Sequence, residues 1–319
     1  MLQVAIVQVL LPVGVAAWLL LGRPRAGVDL HLRIAAGWLV LVGIAIAGVW
    51  LAVPLVAVIG LMLLMLLASA VAFFRGTSIG PKSGKVGSWL GRIVALALAG
   101  LGVWAAGSAV AGWRKPAGTV DLQFPFHQGR YIVANGGSTE RINGHFMTLE
   151  PRYRRWRGES FAVDLIQIDA AGFRTRAKRL FYVPQDPADY LTFGTMVHAP
   201  CGGVVDATDS GRPDMPVPKR DRQQLEGNFV RIRCGAHTVL LGHFRRNGVL
   251  VKAGDRVQVG QRLGTVGNSG NTDEPHLHIH VQTPGTADAP LSGQPIPVTF
   301  NGRFLVRNMV VWAGSDHDS

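Results

Sequence analysis

At 319 residues, 48% hydrophobic and only 16% charged, with a formal net charge of +12, the chain averages over two halves of different kind. Residues 1–113 carry seven Lys/Arg against one acidic residue, Asp29, while residues 114–319 carry the other 25 basic and 19 acidic side chains. Basic residues in the second half are spread singly, which argues against a nucleic-acid partner, and two cysteines without CxxC spacing argue against a cysteine-held metal.

Residues 2–22 contain no charge, residues 34–74 form an uncharged run of 41, and residues 93–113 give a third apolar stretch. One helix of 41 residues would be about 60 Å long, twice the hydrocarbon core of a bilayer, so the run must fold back. Pro54, near its middle, marks the turn. The sequence therefore predicts four transmembrane helices, over 2–22, 34–53, 55–74 and 92–113. The first lacks a basic leader and has too long an apolar core for a cleavable signal peptide. Arg23, Arg25 and Arg33 lie in the first connection, and Arg75, Lys82, Lys85 and Arg92 in the third. The positive-inside rule puts both connections in the cytoplasm, and the second half of the chain on the other side.

No ionisable side chain lies inside the three apolar runs, whereas transporters and proton relays need such groups within the membrane. Residues 1–113 thus read as an anchor in the lipid bilayer that also offers a docking surface for another membrane protein. The Gly- and Ala-rich last span, ALAGLGVWAAGSAVAG, suits close packing on a neighbouring helix.

Residues 114–124 read as a linker, 125–313 as a β-rich domain large enough to bury a core, and 314–319 as a disordered tail. The predicted strands are GRYIVAN, SFAVDLIQI, GGVVDAT, NFVRIRC, HTVLLGHF, QRLGTVG and HLHIHVQ, separated by Gly, Asp, Asn and Pro clusters. Cys201 and Cys234 both sit at strand-like segments, and in an oxidising compartment they form a disulfide. The modest positive charge of this half suits an anionic wall or acidic lipid head groups.

The stretch Gly264–Gln282, GTVGNSGNTDEPHLHIHVQ, ends in three alternating histidines, His276, His278 and His280. Strand period is two, so all three imidazoles project from one face while Leu277 and Ile279 point to the other. Imidazole is the commonest neutral ligand of transition metals, and three in register on one rigid strand point to a metal site. His198, His237, His31 and His317 read as rim, surface, loop and tail residues, and His280 as either a support for its neighbour or a surface group.

With HTVLLGHF and SFAVDLIQID upstream, this stretch resembles the lysostaphin/LytM type of zinc metallopeptidase over about residues 125–285. The resemblance implies a small antiparallel β domain that cuts peptide bonds of bacterial peptidoglycan. The chain would then lie in the bacterial cell (inner) membrane, its second half in the periplasm or at the cell exterior. Carried over by position, His278 is a metal ligand, Asp164 in FAVDL is a second, and His276 and His243 in LLGHF are the catalytic acid/base groups. The family's remaining ligand often stands four residues before the aspartate, where this chain has Ser160. His145 in INGHF, 19 residues before Asp164, fits a longer arrangement, and His127 in FPFHQG is its rival.

Three N/O ligands with an open fourth position suit catalytic zinc, and the absence of HExxH excludes the helix-borne arrangement. The alternative is a non-catalytic cell-wall scaffold, or an activator of other wall hydrolases, that keeps the fold. A carrier-like reading of VLVKAGDRVQVGQRLG fails because Lys252 stands beside the Gly-Asp turn without a Met-Lys pair.

Overall fold

The computed structural model describes residues 2–22, 27–51, 53–54, 56–78 and 85–314. Arg23, Arg25, Lys82 and the tail 315–319, which the charge and disorder readings used, lie outside the described residues. The chain divides into two compact units, Met1–Ala111 and Gly112–Ser319.

In the first unit, α1 (Leu2–Ala5) passes through a π-helical turn, Ile6–Leu10, into α2 (Leu11–Leu21). Then come α3 (Val28–Ala47), α4 (Val56–Ser78) and α5 (Lys85–Ala111). Four helical stretches are long and apolar enough to cross a membrane: Gln3–Leu21, Val28–Ala47, Val56–Arg75 and Gly87–Ala111. The break in the uncharged run lies between the end of α3 at Ala47 and the start of α4 at Val56, and the Trp50 indole N–H donates to the Ala45 carbonyl at 3.0 Å across the end of α3.

Two details go beyond the hydropathy pattern. First, α3 begins six residues before the uncharged run and so includes Asp29, His31 and Arg33. Asp29 is fully buried in the first helical turn, where the helix dipole favours an anion, with Arg33 Nη2 at 3.4 Å one turn on and Arg92 Nε at 3.7 Å. Second, the glycine-rich last helix packs on α3, because Gly43 and Gly102 let the two backbones approach too closely for any Cβ.

The second unit is built of β structure. Its strands are β1 (Val120–Leu122), β2 (Gly129–Asn135), β3 (Val163–Ile168), β4 (Met196–His198), β5 (Gly203–Asp209), β6 (Asn228–Cys234) and β7 (His237–Val249). They continue with β8 (Arg256–Val257), β9 (Arg262–Val266), β10 (Leu277–Gln282), β11 (Pro295–Ile296), β12 (Val298–Phe300) and β13 (Val310–Ala313). Among the described residues the main sheet is antiparallel throughout, in the order β13-β2-β3-β10-β7-β6-β5-β8, with β11 beside β10 and β9 joining β4 to β7. Every predicted strand is present. Cys201, just before β5, and Cys234, at the end of β6, are joined in the expected disulfide.

Alternation along β10 sends Leu277, Ile279 and Val281 into the core, against Val163 and Leu165 of β3 and Val239 and Leu241 of β7. Each such side chain contributes about 1.5–3 kcal/mol by leaving water. The histidine face of β10 is buried as well, which strand alternation alone would not produce. It is covered by residues 144–161, which form two 3₁₀ helices, Gly144–Leu149 and Pro151–Phe161, the second taking in Ser160 and Phe161 from the start of the predicted strand SFAVDLIQI. The Gly158 N–H donates to the Leu291 carbonyl at 2.8 Å, and Gly158 lies against the Gln282 side chain so closely that only glycine fits.

Candidate metal centre

Register places the site. Across four neighbouring strands, Asn135 of β2 stands opposite Asp164 of β3, Asp164 opposite His278 of β10, and His278 opposite Gly242 of β7. Side chains in such a row share one face of the sheet. The row therefore sets an amide, a carboxylate and an imidazole side by side, and Gly242 places no side chain beside His278.

His243 would point to the opposite face if β7 were regular. Between two register points β6 advances from Asn228 to Val230 while β7 advances from Leu241 to Phe244, so β7 carries one extra residue. His243 adopts φ 65° in this bulge, a left-handed conformation uncommon for a non-glycine residue, and the bulge re-aims its ring. Its backbone N–H donates to the Glu226 carbonyl at 2.9 Å, and its ring centroid lies 4.7 Å from that of His276 and 5.7 Å from that of His278.

The 3₁₀ segment brings in His145. The Asn143 side chain caps its first turn by accepting from His145 N–H at 3.1 Å. His145 Nε2 then lies 3.0 Å from Asp164 Oδ2, while His278 Nδ1 lies 3.1 Å from Asp164 Oδ1. The potential ligand atoms of His145, Asp164 and His278 all fall within 4.8 Å of one another. His276 Nε2 is 3.6 Å from Asp164 Oδ1. The rival, His127, instead stacks on His198 with ring centroids 3.6 Å apart. Ser160, at the family's usual ligand position, is buried and shares a hydrogen bond of 2.8 Å with Thr148 Oγ1, tying the two 3₁₀ helices together.

Hydrogen bonds fix the tautomers of both flanking histidines. His243 Nδ1 lies 2.8 Å from the Ser269 carbonyl, and His276 Nδ1 lies 2.8 Å from the Glu274 carbonyl. A carbonyl only accepts, so in each ring Nδ1 carries a proton, and Nε2 is the nitrogen left to gain or lose one. His278 Nε2 faces His280 Nδ1 at 3.0 Å, and His280 is fully buried, so it supports its neighbour rather than facing solvent.

Charge is arranged to match. Burial alone would raise the Asp164 carboxyl, but the charges of His145 and His276 and hydrogen bonds from His145 and His278 hold it well below the usual carboxylate range. Burial would lower His145, yet Asp164, with a smaller push from Glu159, raises it. Burial lowers His278, and burial together with the neighbouring His276 and His278 lowers His243 well below the ordinary histidine value. At neutral pH the centre thus holds an ionised carboxylate, a neutral His278 and a neutral His243. Two imidazoles and a carboxylate are the N/O donor set that suits a transition metal such as zinc.

Several contributors carry no signal in the sequence. Asn135 precedes a Gly-Gly pair and reads as turn chemistry, and Arg307 lies far from every motif. Arg174 reads as one more scattered base, yet its Nε donates to Glu274 Oε2 at 2.7 Å in a buried pair beneath the loop that carries His276.

The family model described as peptidase family M23 matches residues 189–290, a segment that contains His243, His276 and His278 but neither His145 nor Asp164. Peptidoglycan DD-endopeptidase ShyA of Vibrio cholerae is 29% identical over 157 residues, 49% of this chain and 31% of that protein. Peptidoglycan DD-endopeptidase ShyC of the same organism is 38% identical over 85 residues, 27% of this chain and 18% of that protein. The chain therefore spans less than a third of the length of either curated relative. The catalytic domain of lysostaphin from Staphylococcus simulans aligns at 21% identity over 40% of this chain and 71% of that one, with a TM-score of 0.26. Residues 189–290 are thus similar to peptidase family M23, and the four apolar helices lie before the matched segment.

Proposed function

We propose that this chain is a membrane-anchored, zinc-dependent endopeptidase that hydrolyses peptide bonds of peptidoglycan on the non-cytoplasmic side of a bacterial cell membrane. The observation that carries the reading is the convergence of His145, Asp164 and His278, with two further imidazoles beside them whose Nδ1 atoms donate to backbone carbonyls. His145, Asp164 and His278 would hold the zinc. Bound there, zinc supplies Lewis acidity that polarises a peptide carbonyl and acidifies a water.

The remaining work falls to His243 and His276. Each holds its Nδ1 proton on a backbone carbonyl, so each can accept a proton only at Nε2 and return it from the same atom. Burial keeps His243 neutral, the state required of a base at physiological pH. One ring takes the proton of the attacking water, and the protonated ring then delivers it to the leaving amine. The peptidoglycan substrate rests on the partly covered relatives, both peptidoglycan DD-endopeptidases, and the outward orientation on the basic connections of the first unit together with the disulfide of the second.

The test uses the full chain in detergent. Wild type should bind about one zinc per chain and release peptides from purified peptidoglycan, and His278→Ala should lose both. Hydrolysis that survives in His278→Ala would overturn the enzyme reading. Wild-type protein that binds no zinc and cuts nothing would favour the scaffold.

A further inference from the structure

We infer that Asn135 and Arg307 are positioning residues of this metal centre, holding the carboxylate of Asp164 and the segment that presents His145 in one arrangement. The inference rests on the reading that His145, Asp164 and His278 hold an ion.

Asn135 ends β2 directly opposite Asp164, just after a break in register between Val133 and Asn135. Its Nδ2 donates to Asp164 Oδ2 at 2.8 Å, the same oxygen that faces His145 Nε2. Its Oδ1 accepts from the Gly144 N–H at 3.1 Å, at the first residue of the 3₁₀ helix that carries His145. One amide therefore grips both ligand arms, the carboxylate directly and the imidazole through the backbone beside it. The assignment of its oxygen and nitrogen is fixed by these partners, since a carboxylate can only accept and a backbone N–H only donate.

Arg307 fixes the amide from behind. Its Nη2 donates to Asn135 Oδ1 at 3.1 Å, its Nε to the Ala134 carbonyl at 3.1 Å and its Nη1 to the Arg141 carbonyl at 3.0 Å. The planar fork thus spans the end of β2 and the turn leading to Asn143, a geometry an ammonium group cannot reproduce. Asn135, His145, Asp164 and Arg307 all lie outside the segment 189–290 matched by the family model. Half of the centre is built by parts of the chain that flank that segment on both sides, and Arg307 is the tie between them.

Groups that orient ligands from behind typically change metal affinity by about 10–100-fold when removed. The experiment measures the dissociation constants of zinc and cobalt(II), by chelator competition, for full-length wild type, Asn135→Asp, Asn135→Ala and Arg307→Lys in detergent. The visible spectrum of the cobalt forms and the melting temperature of the metal-free proteins are recorded alongside. Asn135→Asp keeps the shape but replaces the donor to Asp164 with an acceptor, so it should weaken both metals by about 100-fold. Asn135→Ala and Arg307→Lys should weaken them by about 10-fold and alter the cobalt bands, with little change in metal-free melting. Should Asn135→Asp fail to fold, the other two variants give the same reading. Unchanged affinity and an unchanged cobalt spectrum in folded variants would overturn the positioning role and leave the enzyme reading intact. A wild type that binds neither metal would overturn both.

Discussion

Replacing Arg174 by alanine isolates one strut of the loop that carries His276. Its side chain is 5% exposed and its partner Glu274 is 13% exposed, so both charges have left water. The guanidinium also lies over the Tyr190 ring, 5.7 Å from its centroid. Removing one partner of a buried pair leaves the other charge uncompensated and costs about 3–5 kcal/mol, far more than the 0–1 kcal/mol of an exposed pair. For a domain of about 200 residues, each kcal/mol moves the melting temperature by roughly 2–4 °C, which gives a fall of about 6–20 °C. Activity should fall as well, because the Glu274 carbonyl holds the Nδ1 proton of His276, and Thr272 Oγ1 donates to that same carbonyl at 2.7 Å. The assay is calorimetry of the full chain in detergent with a double-mutant cycle through Glu274→Gln. The double variant should recover more than 1 kcal/mol of the single-variant loss, since no orphan charge remains. A melting shift below about 2 °C, or strictly additive losses, would refute the assignment of this pair as a buried strut.

Two further outcomes concern charge at the centre and the disulfide. In the metal-free protein, Asp164 is depressed, so its contribution is present above its ordinary value of about 3.9 and lost as pH falls through its folded value. His145 is raised, so its contribution is complete below about 6.5 and lost as pH rises through its folded value. Urea titrations of the metal-free chain should therefore show the wild-type advantage over His145→Gln between those limits, shrinking on both sides; an advantage that grows with alkaline pH would contradict the sign. Reduction of Cys201–Cys234, which closes a separation of 33 residues, should lower stability by about 3–4 kcal/mol on a chain-entropy account, measured by denaturation with and without reductant.

The amino-acid sequence by itself determined the periodic parts of this protein. Uncharged runs longer than a bilayer is thick required several apolar helices, and strand alternation required that His276, His278 and His280 share a face, because both follow from repeats of one chain segment with itself. Tertiary structure decided what depended on other segments. Whether His145 or His127 meets Asp164 turned on a 3₁₀ segment without hydrophobic period, held in place by Gly158 against β10. His243 reaches the site only through an extra residue in β7 relative to β6, and register between strands is not a property of either strand alone. In the first unit, the start of α3 at Val28 was hidden because Asp29 and Arg33 look like loop charges until their pairing inside the fold offsets the cost of burying them. Asn135 and Arg307, 172 residues apart, were invisible for the same reason: a side chain that acts by hydrogen-bonding a distant partner leaves no pattern near itself.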